Sequence, residues 1–248
     1  MRVSIITPCF NGEKTIRQCI DSIRMQDYPE IEHIVVDGGS TDGTLKVLDS
    51  LNVSYISEPD AGIYDAMNKG ISLATGDIIG MLNCDDFYAD AKVLSEVVEC
   101  FQKTSCEICH GKIVQVDCDG VSIWTVGGDF SRSQLLRKMR VAHPSVFVKK
   151  GVYERFGKFS VGFRIAGDHE FLLRVWGKVP ISYLDRMMVH MRMDGVSQTN
   201  VDASYRESLA AVVLRGGSFW LAYFDYCVGR LSHFAVEILR RLGFRRLG

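Results

Sequence analysis

Val3-Ser4-Ile5-Ile6-Thr7-Pro8-Cys9-Phe10-Asn11 is a short apolar run that stops at a proline, an aromatic residue and an asparagine. Similar runs recur at 33–37, 53–57 and 77–83, and helical spacing separates them. Ile16, Cys19, Ile20 and Ile23 fall at i, i+3, i+4 and i+7. Ile63, Met67, Gly70 and Ala74 repeat that spacing, as do Val93, Leu94, Val97, Val98 and Phe101. Buried strands alternating with amphipathic helices predict right-handed βαβ units and a parallel sheet over residues 1 to about 103.

Beyond that point the period changes. Val114 and Val116 alternate with polar residues, Asp119-Gly120 reads as a turn, and Val121, Ile123 and Thr125 alternate after it. This predicts an antiparallel hairpin. A short helix around 133–140, a strand around 145–149, a helix opened by Asp168 and a strand over 187–193 follow. In that last strand Met187, Val189, Met191 and Met193 share one side, with His190 and Arg192 on the other.

The 248 residues are 47% hydrophobic, enough for one globular domain with a full core. The formal charge of −1 is unevenly placed. Residues 215–248 carry six Arg against Asp225 and Glu237, a net +4, which leaves −5 on the rest. No nucleic-acid partner is expected from this balance, but a basic tail suits an anionic surface. The opening shows no basic segment followed by an apolar one, so a cytosolic chain with eight thiols is expected. Cys106-Glu-Ile-Cys109-His110 matches the pattern of haem attachment, and reads more simply as a buried strand with small apolar thiols.

Ligands of open α/β sheets bind beyond the carboxyl ends of the strands. Here those ends collect Asp37, Asp60, Asp85 and Asp86. Neither G-x-G-x-x-G nor G-x-x-x-x-G-K-[ST] is present to cradle phosphate, which disfavours dinucleotide and P-loop sites. Two like charges ~4 Å apart repel by several kcal/mol at a protein-like dielectric. An acidic rim at a nucleotide-sized crevice therefore predicts Mg²⁺ or Mn²⁺ between carboxylate and phosphate oxygens. A metal-dependent nucleotidyltransferase shares such a rim, but usually opens with a basic Gly-rich loop, and Thr7 to Lys14 supplies only Gly12 and Lys14. An inactive sugar-binding module would need the rim broken, and it is intact.

These residues resemble the inverting, GT-A-fold glycosyltransferases of family 2. The shared features are Thr7-Pro8-Cys9-Phe10-Asn11, the segment Asp37 to Thr44, and Asn83-Cys84-Asp85-Asp86 as a D-x-D-type motif. Glu58-Pro59-Asp60-Ala61-Gly62-Ile63-Tyr64-Asp65-Ala66-Met67-Asn68-Lys69-Gly70 resembles a branch active in exopolysaccharide and glycolipid synthesis. His143-Pro-Ser-Val-Phe and Ala166-Gly167-Asp168-His169-Glu170 extend the likeness to about 195. Departures are Asn83 at the first D-x-D position, Met67 where Arg is frequent, and Gly12 where Glu often follows the Asn.

The resemblance implies a doubly wound, mostly parallel α/β sheet with an antiparallel acceptor-side extension and C-terminal helices. Residues 1–215 would form the catalytic domain, with 1–103 as the nucleotide-binding half and 104–215 as the acceptor half. Thr7, Pro8 and Asp37 would hold the base of a nucleotide-sugar donor, and Asn83 would lie near the ribose. Asp85 would ligate the metal with Asp86 beside it, and His143 would line the side of a saccharide or lipid-linked acceptor. Asp168 would be the catalytic base, a role its place at a helix start suits; an ordinary N-cap reads equally well from spacing alone. Glu170 is a second candidate base, and His169 is expected at the surface. His190 reads either as a third metal ligand or phosphate contact, or as a half-exposed strand histidine. Residues 216–248 read as a basic amphipathic helical tail, either packed on the domain or lying peripherally on the inner face of the plasma membrane.

Overall fold

The four apolar runs become the parallel half of one sheet. In the computed structural model, which describes residues 1–117, 121–192 and 200–241, they form β1 (Val3–Cys9), β2 (Ile31–Asp37), β3 (Tyr55–Ser57) and β4 (Ile78–Met81). β1 lies between β2 and β4, and β3 extends β2, all parallel, so their carboxyl ends share one rim.

The second half continues the same sheet. β5 (Phe87–Tyr88), β6 (Ile108–Val116), β7 (Ser122–Val126), β8 (Val146–Lys149) and β9 (Ile181–Arg192) complete the order β3-β2-β1-β4-β8-β6-β9-β5, with β7 on β6. β8 runs antiparallel between β4 and β6, while β9 lies parallel to β6. The predicted hairpin is β6–β7, antiparallel through Val114↔Thr125. Its Asp119-Gly120 turn lies outside the described residues, as does Met193. Cys109 and His110 are buried in β6 and Cys106 just before it, which favours the plain reading of the C-x-x-C-H pattern.

Helices cover both faces of the sheet. α1 (Ile16–Arg24), α2 (Thr44–Ser50) and α4 (Val93–Thr104) pack against one face through Cys19, Ile23, Leu48, Val93 and Val97. α3 (Ile63–Leu73), α6 (Lys150–Phe156) and α7 (Gly167–Val175) pack against the other through Met67, Ile71, Val152, Phe171 and Leu172. Of the predicted α3 stripe Met67, Gly70 and Ala74 are buried, but at its start Tyr64, 5% exposed, takes the place of Ile63, 39% exposed.

α5 (Arg132–Leu135) is shorter than the predicted 133–140. Ser131 and Gln134 form a capping box at its start; Leu135 is buried, and Leu136 and Met139 beyond it pack partly buried against the same core. α8 (Val201–Leu214) and α9 (Phe219–Arg241) close the described chain as a helical pair. No described helix is long and apolar enough to cross a membrane.

Candidate functional site

The rim is built by loops tied to one another. Asn11, at φ 53°, accepts the Thr41 N–H on Oδ1 at 2.9 Å, while its own N–H donates to Ser40 Oγ at 2.7 Å. The loop after β1 is thereby fixed to the loop after β2. Asp37 is fully buried and accepts from the N–H groups of Gly39 (3.1 Å) and Ser40 (3.0 Å), from Ser57 Oγ (2.7 Å) and from Ser40 Oγ. Its carboxylate organises the 37–44 loop from beneath instead of offering a face to a base. Asp60 packs over Gly38, where an added Cβ would come within 2.3 Å of Asp60 Oδ2.

Thr7 and Pro8 also turn out to be core residues. Thr7 Oγ1 lies 3.0 Å from His33 Nε2, and burial, followed by the charge of Arg24, pushes His33 down to about 4. The Thr7 hydroxyl thus has an internal partner. Phe10, 62% exposed, is the large apolar side chain that this loop presents to solvent.

After β4 the two aspartates part company. Asp86 is 1% exposed, and accepts from Asn83 Nδ2 at 3.1 Å and from the Arg192 N–H at 3.2 Å. Burial, then the charge of Asp85, raises its pKa well above the usual carboxylate range. Asp86 acts as a strut between the β4 loop and β9. Asp85 stays half-buried. Asn83 Oδ1 is buried with no hydrogen-bond partner among the described residues. His190 stacks on Phe87, centroids 4.9 Å apart at 13°, and burial lowers its pKa. Among the described residues no group of three or more His, Cys, Asp or Glu is arranged around a metal, so His190 does not complete such a set.

On the acceptor side, Asp168 lies in the first turn of α7, half-buried. The Tyr64 hydroxyl is 3.1 Å from its Oδ1 and 2.7 Å from the Ile165 carbonyl oxygen. His143 is 8% exposed, meets Phe159 edge-on at 5.3 Å, and neither ring nitrogen has a partner among the described residues. Burial lowers its pKa against the opposing pull of Asp168.

Two neighbours of Asp168 differ from expectation. Glu170 is fully buried and bridges Arg174 Nη2 (2.6 Å) and Arg215 Nε (2.6 Å), so its carboxylate is committed to two guanidiniums and unsuited to act as a base. His169 is 2% exposed instead of at the surface, with Nε2 2.8 Å from the Leu135 carbonyl oxygen. The role of Tyr64 was not read from the sequence, although its i, i+4 partner Asn68 lies in the same quoted motif.

The glycosyl transferase family 2 model matches residues 4–162. A PGL/p-HBAD biosynthesis glycosyltransferase of Mycobacterium tuberculosis is 29% identical over 216 residues, covering 83% of each chain. Among solved structures, S. aureus TarS 1-349 in complex with UDP-GlcNAc aligns with TM-score 0.70 at 18% identity, covering 95% of this chain and 73% of that one. This chain spans 44% of a longer TarS chain. The mannosyltransferase PcManGT of Pyrobaculum calidifontis, in complex with GDP-Man and Mn²⁺, aligns with TM-score 0.66 at 18% identity, covering 94% and 75%. With the family model matching well over half of its length, the chain belongs to glycosyl transferase family 2 and is a glycosyltransferase with a GT-A-type fold.

Proposed function

We propose that this enzyme moves one sugar from a nucleoside-diphosphate donor to an acceptor hydroxyl with inversion, assisted by Mg²⁺ or Mn²⁺, during assembly of a bacterial surface glycolipid or polysaccharide. The observation that carries this is half-buried Asp168 in the first turn of α7, 3.1 Å from the Tyr64 hydroxyl, in a chain that also keeps half-buried Asp85 beyond the parallel strands. The names of the relatives support the biosynthetic setting, and the UDP-GlcNAc and GDP-Man complexes of the structural neighbours support the donor class.

The donor set fits a hard divalent ion. Asp85 supplies one carboxylate, and Asn83 Oδ1 is a buried oxygen in want of a partner. Such ions are commonly held by one or two carboxylates with substrate phosphates completing the shell. Asp85, with Asn83 beside it, would hold the ion; when bound, it neutralises charge developing on the leaving diphosphate. Asp168 takes the proton of the attacking hydroxyl, and the Tyr64 hydroxyl keeps one carboxylate oxygen oriented. His143, whose ring nitrogens have no partner among the described residues, would be a contact for acceptor hydroxyls.

Full-length protein should be incubated with UDP- and GDP-sugars and with aryl glycosides or phenolic lipids as acceptors, following release of the nucleoside diphosphate. Acceptor-dependent release from one donor class is expected. No release from any nucleotide sugar contradicts the reading.

The tail adds a surface. Trp220, Phe224, Val228, Leu231 and Phe234 recur at spacings of four and three along α9 and are exposed, Trp220 at 77%. The opposite face packs inward: Ala222 is 6% exposed, Gly229 abuts the Tyr205 ring, and Asp225 pairs with Arg137 at 2.6 Å. One helix thus has a docked face and an outward apolar stripe. With the net +4 of residues 215–248, we assign the stripe to the interface of an anionic membrane, where nearby Arg contribute ~1 kcal/mol each. Arg240, Arg241, Arg245 and Arg246, which belong to this charge, have side chains outside the described residues. The protein should cosediment with phosphatidylglycerol vesicles at low salt and release as salt rises. Trp220→Ser with Phe224→Ser should abolish binding and leave the melting temperature in place. Indifference to such vesicles, or a concentration-dependent dimer broken by the same pair, overturns the assignment.

A further inference from the structure

Residues 157–166, which lead into Asp168, form turns and bends without a strand or helix. Backbone groups in such a stretch need partners from elsewhere. Arg174 of α7 donates to the Gly157 and Lys158 carbonyls, and further partners are side chains of two distant helices. On α3, Asn68 Oδ1 accepts the Phe159 N–H at 2.9 Å, and its Nδ2 donates to the Phe159 carbonyl at 2.9 Å. On α8, one Glu207 oxygen accepts three successive N–H groups, from Arg164 (3.0 Å), Ile165 (2.7 Å) and Ala166 (2.9 Å). The other oxygen lies 3.1 Å from the Arg164 nitrogen. Gly167 completes the arrangement: a Cβ there would stand 2.8 Å from the Tyr64 ring, so glycine lets Tyr64 reach both Ile165 and Asp168.

We infer that Glu207 is a positioning residue for sugar transfer, one that sets Asp168 against the acceptor hydroxyl by gripping the backbone of 164–166. The inference rests on Asp168 being the base. Its physical basis is the shared Tyr64 hydroxyl. Ile165, whose N–H Glu207 holds, presents its carbonyl oxygen to the same hydroxyl that contacts Asp168. Movement of the 164–166 backbone therefore moves the group that orients the carboxylate. Glu207 lies beyond residues 4–162, the span of the family model, and belongs to the helical pair that carries the aromatic stripe.

The test compares Glu207→Ala, Glu207→Gln and Asp168→Asn in the full chain, measuring kcat, donor KM and melting temperature. Glu207→Ala is expected to lower kcat by about 10- to 100-fold, the scale of a ~1 Å misplacement, with donor KM changed by less than about threefold. Glu207→Gln, which keeps an acceptor oxygen, should recover most of the loss. Wild-type kcat in Glu207→Ala beside an inactive Asp168→Asn overturns the positioning role and leaves the base in place. An active Asp168→Asn instead removes the base itself. A fall in melting temperature, kcat and donor affinity together reduces Glu207 to a structural contact and also overturns the inference. Should Glu207→Ala fail to fold, Glu207→Asp decides, because a carboxylate one methylene shorter cannot span all three N–H groups. Its kcat should fall, and a wild-type value is contrary to the proposal.

Discussion

Asp168→Asn is expected to lower kcat by a factor of ~10² or more while donor binding changes little, the pattern of a lost general base. Asparagine matches the carboxylate in size, and its oxygen can still accept from the Tyr64 hydroxyl and from the His169 N–H, which lie 3.1 and 2.8 Å from Asp168 Oδ1. The fold around α7 should therefore survive, and the difference read is proton affinity. A ~10² loss corresponds to ~2.7 kcal/mol of barrier, well within what a positioned base contributes. Glu170→Gln is the informative control. Glu170 is fully buried between Arg174 and Arg215, so its neutralisation leaves two guanidiniums short of a counter-charge and should appear first as lost stability. If Glu170→Gln keeps its melting temperature but loses turnover while Asp168→Asn stays active, the assignment is reversed. Retention of the donor's anomeric configuration in the product contradicts direct attack altogether.

The local half of this architecture was legible because its signals are local. β1 to β4 are short apolar runs, and the intervening helices carry stripes such as Ile16, Cys19, Ile20 and Ile23, all buried. Insertion of β8 between β4 and β6 was not legible, since Gly80↔Phe147 pairs residues far apart in the chain and no turn motif links them. α8 escaped for another reason: it buries only Ala211 and Val212, so no apolar stripe announces it. At the start of α3 Tyr64 replaces Ile63 inside, because its ring packs in the core while its hydroxyl reaches Asp168.

At the site, residue type and order placed the acidic groups but could not separate working carboxylates from structural ones. Asp37 ends β2 and Asp86 follows β4 beside Asp85, and backbone N–H groups and neighbouring side chains occupy both. That difference depends on which donors the folded loops bring near, and those loops come from different segments. The support of Asp168 is equally non-local, from Tyr64 at a separation of 104 residues and from Glu207 some forty residues on.

Asp85→Asn should therefore separate the working carboxylate from its structural neighbour. Two unit charges ~4 Å apart interact by ~4 kcal/mol at an effective dielectric near 20, and solvent screens part of that at a half-buried residue. Loss of the Asp85 charge is thus expected to weaken metal-dependent nucleotide binding and to lower turnover by ~10². Excess chelator should abolish activity in the parent enzyme, and Mn²⁺ or Mg²⁺ should restore it. Asp86→Asn should behave differently. Asp86 joins the β4 loop to the Arg192 backbone, and burial raises its pKa. Its amide variant should keep the metal dependence of whatever activity remains, with any loss appearing in the melting temperature. Calorimetric titration of nucleoside diphosphate with and without Mn²⁺ reads both effects directly. Full turnover in chelator, or metal-enhanced nucleotide binding that survives Asp85→Asn and vanishes in Asp86→Asn, would move the metal away from Asp85. The buried strut would then have to open for catalysis, which requires the Arg192 N–H and Asn83 Nδ2 to release Asp86.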